Sequence, residues 1–201
     1  AATASQGGWW LFGYHGPGNK LGDQPGSLVG RVDALGKPLA LAHHDFADGG
    51  FEALHGAVGT ADGGAWLVGW VQPKGTTAVQ INALVAQVDA AGKVMSASQV
   101  DVIGPQGWLG AAKGAGEVWV AVGHVAGGPT TLRGAAQAFD GAGKPLWAYQ
   151  HPLVPTRLND AAALSDGGWL LAGTENVKNQ ILAVRLDSAG NVLWTGSVGA
   201  P

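Results

Sequence analysis

The pattern of apolar and polar positions repeats four times along the chain. Each copy contains a short apolar segment with a tryptophan that ends in glycine, at residues 9–13, 65–69, 119–123 and 169–173. A second segment follows in each copy, where apolar residues mainly alternate with other residues up to an Asp-x-x-Gly motif. Alternation with a period of two predicts half-buried β-strands.

The Asp-x-x-Gly motifs predict hairpin turns at residues 33–36, 89–92, 140–143 and 187–190. In such a turn the Asp side chain accepts a hydrogen bond from a following backbone amide, and the glycine adopts the left-handed conformation. Another apolar strand follows each motif, and a segment rich in Ala and Gly precedes each tryptophan strand. Each copy is therefore predicted to be a meander of four strands.

Repeated four-stranded units of roughly 50 residues are typical of β-propeller blades. We predict an all-β chain, with a single β-propeller domain over residues 1–201. The predicted blades are residues 1–46, 47–101, 102–151 and 152–201. Two closures remain open: a closed ring of four blades, or half of a larger ring. The small-residue strand is expected to lie innermost. The tryptophans expected to fill the space between blades are Trp9, Trp66, Trp119 and Trp169.

The fourth copy carries the most regular form of the repeat. It contains DGGWLLAG at residues 166–173 and LAVRLDSAGNVLW at residues 182–194. These segments resemble the repeats of bacterial β-propeller proteins of the exported and surface type, and the resemblance extends over essentially the whole chain. It implies a propeller fold that serves as a binding or scaffolding module for diverse partners, and it implies little about activity.

Composition and charge narrow the classes of partner. The 35 glycines, 9 tryptophans and only 12% charged residues suit short strands and tight turns. A net charge of −3 without any run of Lys or Arg argues against a nucleic-acid partner. No apolar stretch approaches the roughly 18 residues of a membrane span, so no transmembrane segment is predicted. The absence of cysteine excludes disulfides and thiol-based sites. The small residues at positions 1–4 resemble those after a signal-peptide cut and favour an extracytoplasmic (periplasmic or secreted) protein.

The loops between the second and third strands vary in length and content, at residues 14–27, 70–82, 124–133 and 174–180. Binding residues are expected on such variable loops of a rigid scaffold. The predicted ligand- or partner-binding residues on this loop face are Tyr14, His15, Trp70, Trp108, His124, Asn159 and Asp160. The competing interpretation is that the aromatic rings pack under the loops and the polar groups bond to neighbouring connections.

The connection at residues 43–55 concentrates six potential metal ligands and has no counterpart in the other copies. They are His43, His44, Asp45, Asp48, Glu52 and His55. Oxygen and imidazole ligands together suit Ca²⁺, Mn²⁺ or Zn²⁺. The spacing matches neither a calcium loop nor a zinc-binding helix, however, so a solvated polar loop is the competing interpretation. No other cofactor is predicted.

Motifs of catalysis are sparse. The chain has no Gly-x-Ser-x-Gly elbow, no phosphate-binding Gly-x-x-x-x-Gly-Lys loop and only three Glu. We therefore predict a non-catalytic interaction or scaffold module that binds a protein partner, as an accessory subunit of a larger assembly. Long Gly- and Pro-rich loops, such as residues 16–18 and 127–129, favour this prediction. The alternatives are a carbohydrate-binding propeller that uses Tyr14, Trp70 and Trp108, and a metal-dependent enzyme centred on residues 43–55.

Overall fold

The computed structural model describes residues 2–5, 7–15, 26–75, 80–100, 106–126, 131–153, 155–175 and 180–199. These residues form sixteen strands in four antiparallel sheets of four strands each. We call the sheets blades 1 to 4. The predicted all-β class with four four-stranded blades is confirmed. Within the described ranges, no helix is long and apolar enough to cross a membrane.

Each blade is a meander in which strands adjacent in sequence pair with each other. Blade 1 contains β1 (Ala2–Ser5), β2 (Gly8–His15), β3 (Gly26–Asp33) and β4 (Pro38–His44). Blade 2 contains β5 (Phe51–Gly59), β6 (Ala65–Gln72), β7 (Asn82–Val88) and β8 (Val94–Val100). Blade 3 contains β9 (Gly107–Lys113), β10 (Trp119–Ala126), β11 (Leu132–Phe139) and β12 (Pro145–Gln150). Blade 4 contains β13 (Thr156–Ala163), β14 (Trp169–Glu175), β15 (Gln180–Leu186) and β16 (Val192–Val198).

The Asp-x-x-Gly turns join the third and fourth strands of every blade, as predicted. In blade 1 the Asp33 carboxylate accepts hydrogen bonds from the amides of Leu35 and Lys37, each at 2.9 Å. The glycine that closes the turn, Gly36, has a φ of +82°, which favours glycine over any residue with a side chain. The same carboxylate and glycine geometry recurs in the turns of blades 2, 3 and 4. A β-bulge follows each turn and sets the register of the outer strand.

The chain forms two compact units, Ala1–Gly107 and Trp108–Pro201. Blades 1 and 2 belong to the first unit. Blades 3 and 4 belong to the second, apart from Gly107 at the start of β9. The closure of a propeller ring stays a prediction, as does the single-domain description of residues 1–201.

The core of the first unit lies between blades 1 and 2. Trp10 and Phe12 of β2 project from one face of blade 1 and pack with Leu67 and Leu84 of blade 2. The Trp10 indole donates a hydrogen bond to the Gly64 carbonyl at 3.2 Å. The indole is therefore buried without an unsatisfied donor.

The core of the second unit lies between blades 3 and 4. Val120 and Val122 of β10 pack against Trp169 and Leu171 of β14. The Trp169 ring lies so close to Gly114 that a Cβ at position 114 would be 2.7 Å from the indole Cη2. The tryptophan strand therefore supplies the largest side chain of this core.

The expected role of Trp9 as a core tryptophan is wrong. Trp9 is exposed, whereas its neighbour Trp10 is fully buried. Adjacent residues of a strand face opposite sides of the sheet, and the side that packs on blade 2 is the side of Trp10. The three other expected tryptophans, Trp66, Trp119 and Trp169, are buried as predicted.

Two turn glycines separate the cost of backbone strain from the cost of a steric clash. Gly92 and Gly190 have φ of +83° and +85°. A Cβ at Gly92 would meet only Ala42 at 3.6 Å and Trp10 at 4.0 Å, whereas a Cβ at Gly190 would lie 2.6 Å from the Trp147 ring. We expect Gly92→Ala to lower the free energy of unfolding by about 1–2 kcal/mol through φ strain alone.

We expect Gly190→Ala to cost a further ~1–3 kcal/mol, because the Trp147 ring must move. Urea denaturation of the two variants, each compared with the wild type, measures both costs. Equal losses of stability in the two variants would contradict the packing of Trp147 on the blade 4 turn.

Candidate functional site

The strands of each blade end at two opposite edges of the sheet, and these two edges carry different connections. The Asp-x-x-Gly turns lie at one edge, and the loops between second and third strands leave from the other, which we call the loop edge. Tyr14, His15, Trp70 and His124 lie near the ends of second strands, at the loop edge. Tyr14 is exposed, and Trp70 and His124 are half-buried. The side chain of His15 lies outside the described residues, as do the loop residues 16–25, 76–79, 127–130 and 176–179.

Trp70 and His55 form a side-chain pair on blade 2. The Trp70 indole Nε1 donates a hydrogen bond to His55 Nε2 at 3.0 Å. This bond requires a neutral imidazole with its proton on Nδ1. Desolvation of the ring by its surroundings lowers the pKa of His55, although the residue as a whole is exposed. The lowered pKa extends the pH range in which His55 accepts this bond.

His55 and Asn159 occupy the same structural position in blades 2 and 4. Each is the extra residue of a β-bulge in the first strand, between Leu54 and Gly56 and between Leu158 and Asp160, respectively. Bulges turn a side chain away from the regular alternation of the strand. Both residues are exposed. Asp160 is also exposed, and its carboxylate accepts the amide of its neighbour Ala161 at 2.8 Å.

The expected exposure of Trp108 is wrong. The residue lies in β9 and is only 4% exposed. Its indole Nε1 is buried and has no hydrogen-bond partner among the residues that the structure describes. The buried Trp108 therefore does not present a ring to a ligand in solution.

The six predicted metal ligands do not converge. In the described part of the chain, no three His, Asp or Glu side chains are close enough to hold a metal ion. His44 Nε2 lies 2.8 Å from the Gly92 carbonyl, and both Asp45 oxygens accept the Gly49 amide at 2.9 Å. His43, Asp48 and His55 are exposed at separate positions. These contacts belong to the protein's own backbone and correspond to the competing interpretation of a polar loop.

The Glu52 side chain is hydrogen-bonded to the backbone of the connection between blades 1 and 2. It is almost fully buried, and its Oε2 accepts the Ala47 amide at 2.8 Å. Burial raises the pKa of Glu52, and an interaction with the Ser27 hydroxyl partly opposes this rise. Neither Ser27 Oγ nor Glu52 Oε1 has a partner at standard hydrogen-bond geometry, so we regard this interaction as weak. The Ala47 hydrogen bond holds the backbone beside Asp48, which has a φ of +48°.

A small open cleft lies at the loop edge of the second unit. Its volume is about 150 Å³, and its lining comprises His151, Pro152, Leu153, Glu175, Leu182, Thr195, Gly196 and Ser197. His151 Nδ1 accepts the Leu153 amide at 3.2 Å, so this ring is positioned by its own loop. The buried Glu175 carboxylate and the hydroxyls of Thr195 and Ser197 suit hydrogen bonding to a small polar molecule. Sequence reasoning missed this cleft, because its residues come from four separate segments without a shared motif.

Comparison with known proteins identifies the fold and nothing more specific. No protein-family model matches the sequence, and no curated protein matches it. The chain is similar to the crystal structure of a protein of unknown function from Bacteroides caccae, with a TM-score of 0.53 and 12% identity over 97% of this chain. It spans 59% of the length of that protein. A crystal structure of the eukaryotic initiation factor matches with a TM-score of 0.46 and 13% identity, over 98% of this chain and 54% of that one. The chain is thus an all-β protein built from four blade-like sheets.

The buried Glu52 carboxyl predicts a pH-dependent difference between the wild type and Glu52→Gln. The folded protein binds this proton more tightly than the unfolded chain does. The stability that it contributes is therefore complete below the ordinary pKa of a carboxyl and is lost as the pH rises through the raised pKa. Glu52→Gln keeps an acceptor for Ala47 but does not titrate. We expect the urea midpoint of Glu52→Gln to rise relative to that of the wild type as the pH increases from the ordinary pKa of a carboxyl through the raised pKa of Glu52.

Glu52→Ala serves as the matched variant, because it removes the acceptor of the Ala47 amide altogether. We expect it to lose about 1–3 kcal/mol of stability across the whole pH range. If the urea midpoints of the wild type and Glu52→Gln changed with pH in parallel, the prediction of a raised pKa for Glu52 would be contradicted.

The pair of Trp70 and His55 predicts a shift of the His55 pKa on mutation. In Trp70→Phe the neutral imidazole loses its hydrogen-bond donor, so the pKa of His55 should rise towards its usual value. Titration of the His55 imidazole proton by NMR measures this shift, with Trp9→Phe as a control on a different blade. In the wild type, the stabilising contribution of neutral His55 should be lost as the pH falls below the usual range and through the lowered pKa. An unchanged His55 titration in Trp70→Phe would exclude the hydrogen bond in solution.

Proposed function

We propose that the chain is a non-catalytic interaction module that binds a protein partner, as an accessory subunit of a larger assembly. The observation that carries this proposal is the presence of two exposed apolar sheet faces. The blade-1 face consists of Trp9, Leu11 and Leu41. The blade-4 face consists of Ile181, Trp194 and Val198. Each is the face opposite to the one that packs inside its own unit.

The blade-1 face exposes positions that are buried in other copies of the repeat. Trp9 is 48% exposed, whereas Ala65 and Trp169, at the same position of their strands, are 0% and 2% exposed. Leu11 is 42% exposed, and its counterparts Leu67 and Leu171 are fully buried. In blades 2 and 4 the preceding blade covers this face. The blade-1 face thus has the composition of a packing surface.

The blade-4 face shows the complementary pattern. Ile181, Trp194 and Val198 are 64%, 48% and 71% exposed and share one side of the sheet, because Arg185 pairs with Trp194 and Ile181 pairs with Val198. Trp194 occupies the position that Trp147 has in blade 3, where the ring packs against blade 4. Several exposed apolar side chains on one face of a sheet are typical of protein-interaction sites. Two such faces therefore support a protein partner.

The proposal is non-catalytic because no described group of side chains forms a catalytic constellation. The metal-dependent enzyme lacks support, since its six candidate ligands lie apart. A carbohydrate site that uses Trp108 lacks support as well, since that ring is buried. The extracytoplasmic location and the bacterial origin rest on the resemblance of the repeats and stay predictions.

Variants of the two faces test the proposal. We expect Trp9→Ser with Leu11→Ser, and separately Ile181→Ser with Trp194→Ser, to weaken association with the partner by at least about tenfold, since each lost apolar side chain contributes about 1.5–3 kcal/mol. The measurement is the stoichiometry of chains that co-purify with the tagged protein from its native source, quantified by mass spectrometry alongside its mass in solution.

Leu39→Ser and Leu193→Ser are the matched controls. Both side chains are exposed bulge residues of outer strands, and their counterparts Met95 and Leu146 are equally exposed in the other blades. We expect them to leave association unchanged. A wild-type protein that binds no protein, or equal losses in the control and face variants, would refute the proposed function.

A further inference from the structure

We infer that the partner of these two faces is a second copy of this chain, with the blade-4 face of one copy packed on the blade-1 face of the other. This inference rests on the proposed function and specifies its partner. It is carried by the way in which consecutive blades already pack inside each unit, because the two exposed faces are the two halves of that same contact.

Beside the apolar core, the contact between the two blades of each unit includes the Asp-x-x-Gly turn of the second blade. The carbonyl that follows the turn Asp accepts a hydrogen bond from a side chain of the first blade. In the first unit Arg31 donates to Ala90, at 3.4 Å, and in the second unit Trp147 Nε1 donates to Ser188, at 3.1 Å. The acceptors occupy the same position of the repeat although the donors differ. The turn is therefore a docking element as well as a chain reversal.

The glycine of the same turn provides a flat surface for the first blade. Gly190 lies directly against the Trp147 ring, and Gly92 lies against Ala42 and Trp10. A Cβ at Gly190 would clash with the Trp147 ring, whereas a Cβ at Gly92 would make only ordinary van der Waals contacts with blade 1. The neighbouring blade therefore adds to the requirement for glycine at position 190, and the positive φ requires it at both positions.

The turn of blade 1 has the same geometry but carries no such neighbour within its unit. Asp33 makes the same hydrogen bonds as the other turn aspartates, and Gly36 has the same left-handed conformation. No atom lies within 4 Å of a Cβ built on Gly36, and Leu35 beside it is almost fully exposed. The blade-1 turn is therefore a docking element without a docked blade.

The blade-4 face carries the complementary donor. Trp194 matches Trp147 in its position after the turn glycine, and it is exposed. Packed on blade 1 of a second copy, the Trp194 ring would lie over Gly36, and its Nε1 would donate to the Ala34 carbonyl. Trp9 and Leu11 would then be covered as Leu67 and Leu171 are covered in blades 2 and 4.

We expect two such contacts in a pair of copies, with the blade-4 face of each copy on the blade-1 face of the other. A single contact of unlike faces would leave one face of each copy exposed and would propagate into a chain of copies.

Single-cysteine variants test this arrangement, because the chain has no cysteine of its own. In the first unit, a Cβ at Gly92 would lie 3.6 Å from the Ala42 Cβ, and the equivalent positions across the proposed contact are 36 and 196. Leu35→Cys, beside Gly36 and without its φ restriction, is mixed with Gly196→Cys and treated with a short bismaleimide. We expect a mixed product that joins residues 35 and 196, about tenfold in excess over either self-product, and light scattering at the mass of two chains.

The matched control replaces Leu35→Cys by Ala91→Cys. Ala91 has the same turn position in blade 2 and is also exposed, but its turn is already docked on blade 1. We expect no excess of mixed product with Gly196→Cys. Trp194→Ser should abolish the light-scattering dimer while leaving the circular dichroism spectrum of the chain unchanged.

The outcomes separate this inference from the proposed function. A protein with the mass of one chain and no excess of the 35–196 product overturns the inference. A double variant that carries both Leu35→Cys and Gly196→Cys overturns it as well if its crosslink forms only within one chain. If the wild type is monomeric and binds a different protein, and the serine variants of the two faces lose that protein, the inference fails and the proposed function stands. If the serine variants bind every partner as the wild type does, both the inference and the proposed function fail.

Discussion

The structure depends on the Asp-x-x-Gly turn between the third and fourth strands of each blade. One carboxylate holds two backbone amides, a left-handed glycine closes the turn, and the bulge that follows sets the outer strand in register. The same turn presents a carbonyl and a bare glycine to the preceding blade, as Ser188 and Gly190 do to Trp147. Local folding and the packing of blades are therefore encoded by one motif, and a blade that forms its turn correctly also forms its docking element.

Within each unit, the two blades contact each other through unlike faces. In the first unit, the face of blade 1 carries donors and large side chains that reach towards turns of blade 2, such as Trp10 and Arg31. In repeat proteins, the first and last repeats usually end in polar surfaces that act as caps. Here the first and last blades instead expose Trp9 and Trp194, together with aliphatic neighbours. The blades at the ends of the sequence thus have the chemistry of internal repeats.

Most of the fold could be predicted from the sequence, because its signals are local. The alternation of apolar residues and the turn motifs located all sixteen strands and the order within each sheet. The choice between Trp9 and Trp10 could not be made in this way, since both positions are apolar and adjacent residues point to opposite faces. Only the packing of Trp10 against blade 2 decides it, and that contact joins residues more than fifty positions apart. The two bulges at His55 and Asn159 could not be predicted from the sequence either, although the repeat alignment placed the two residues at equivalent positions.

The candidate site was harder to predict, because residue types alone do not show what the side chains bind. Residues 43–55 hold many metal-ligand types, but Asp45 and Glu52 bind the amides of Gly49 and Ala47 within their own connection. A connection that bends through a left-handed Asp48 leaves backbone amides without partners in a sheet, and buried amides must be satisfied. The carboxylates therefore serve the fold at this connection. With these polar side chains engaged in the backbone, the exposed apolar side chains of the first and last blades remain available for recognition.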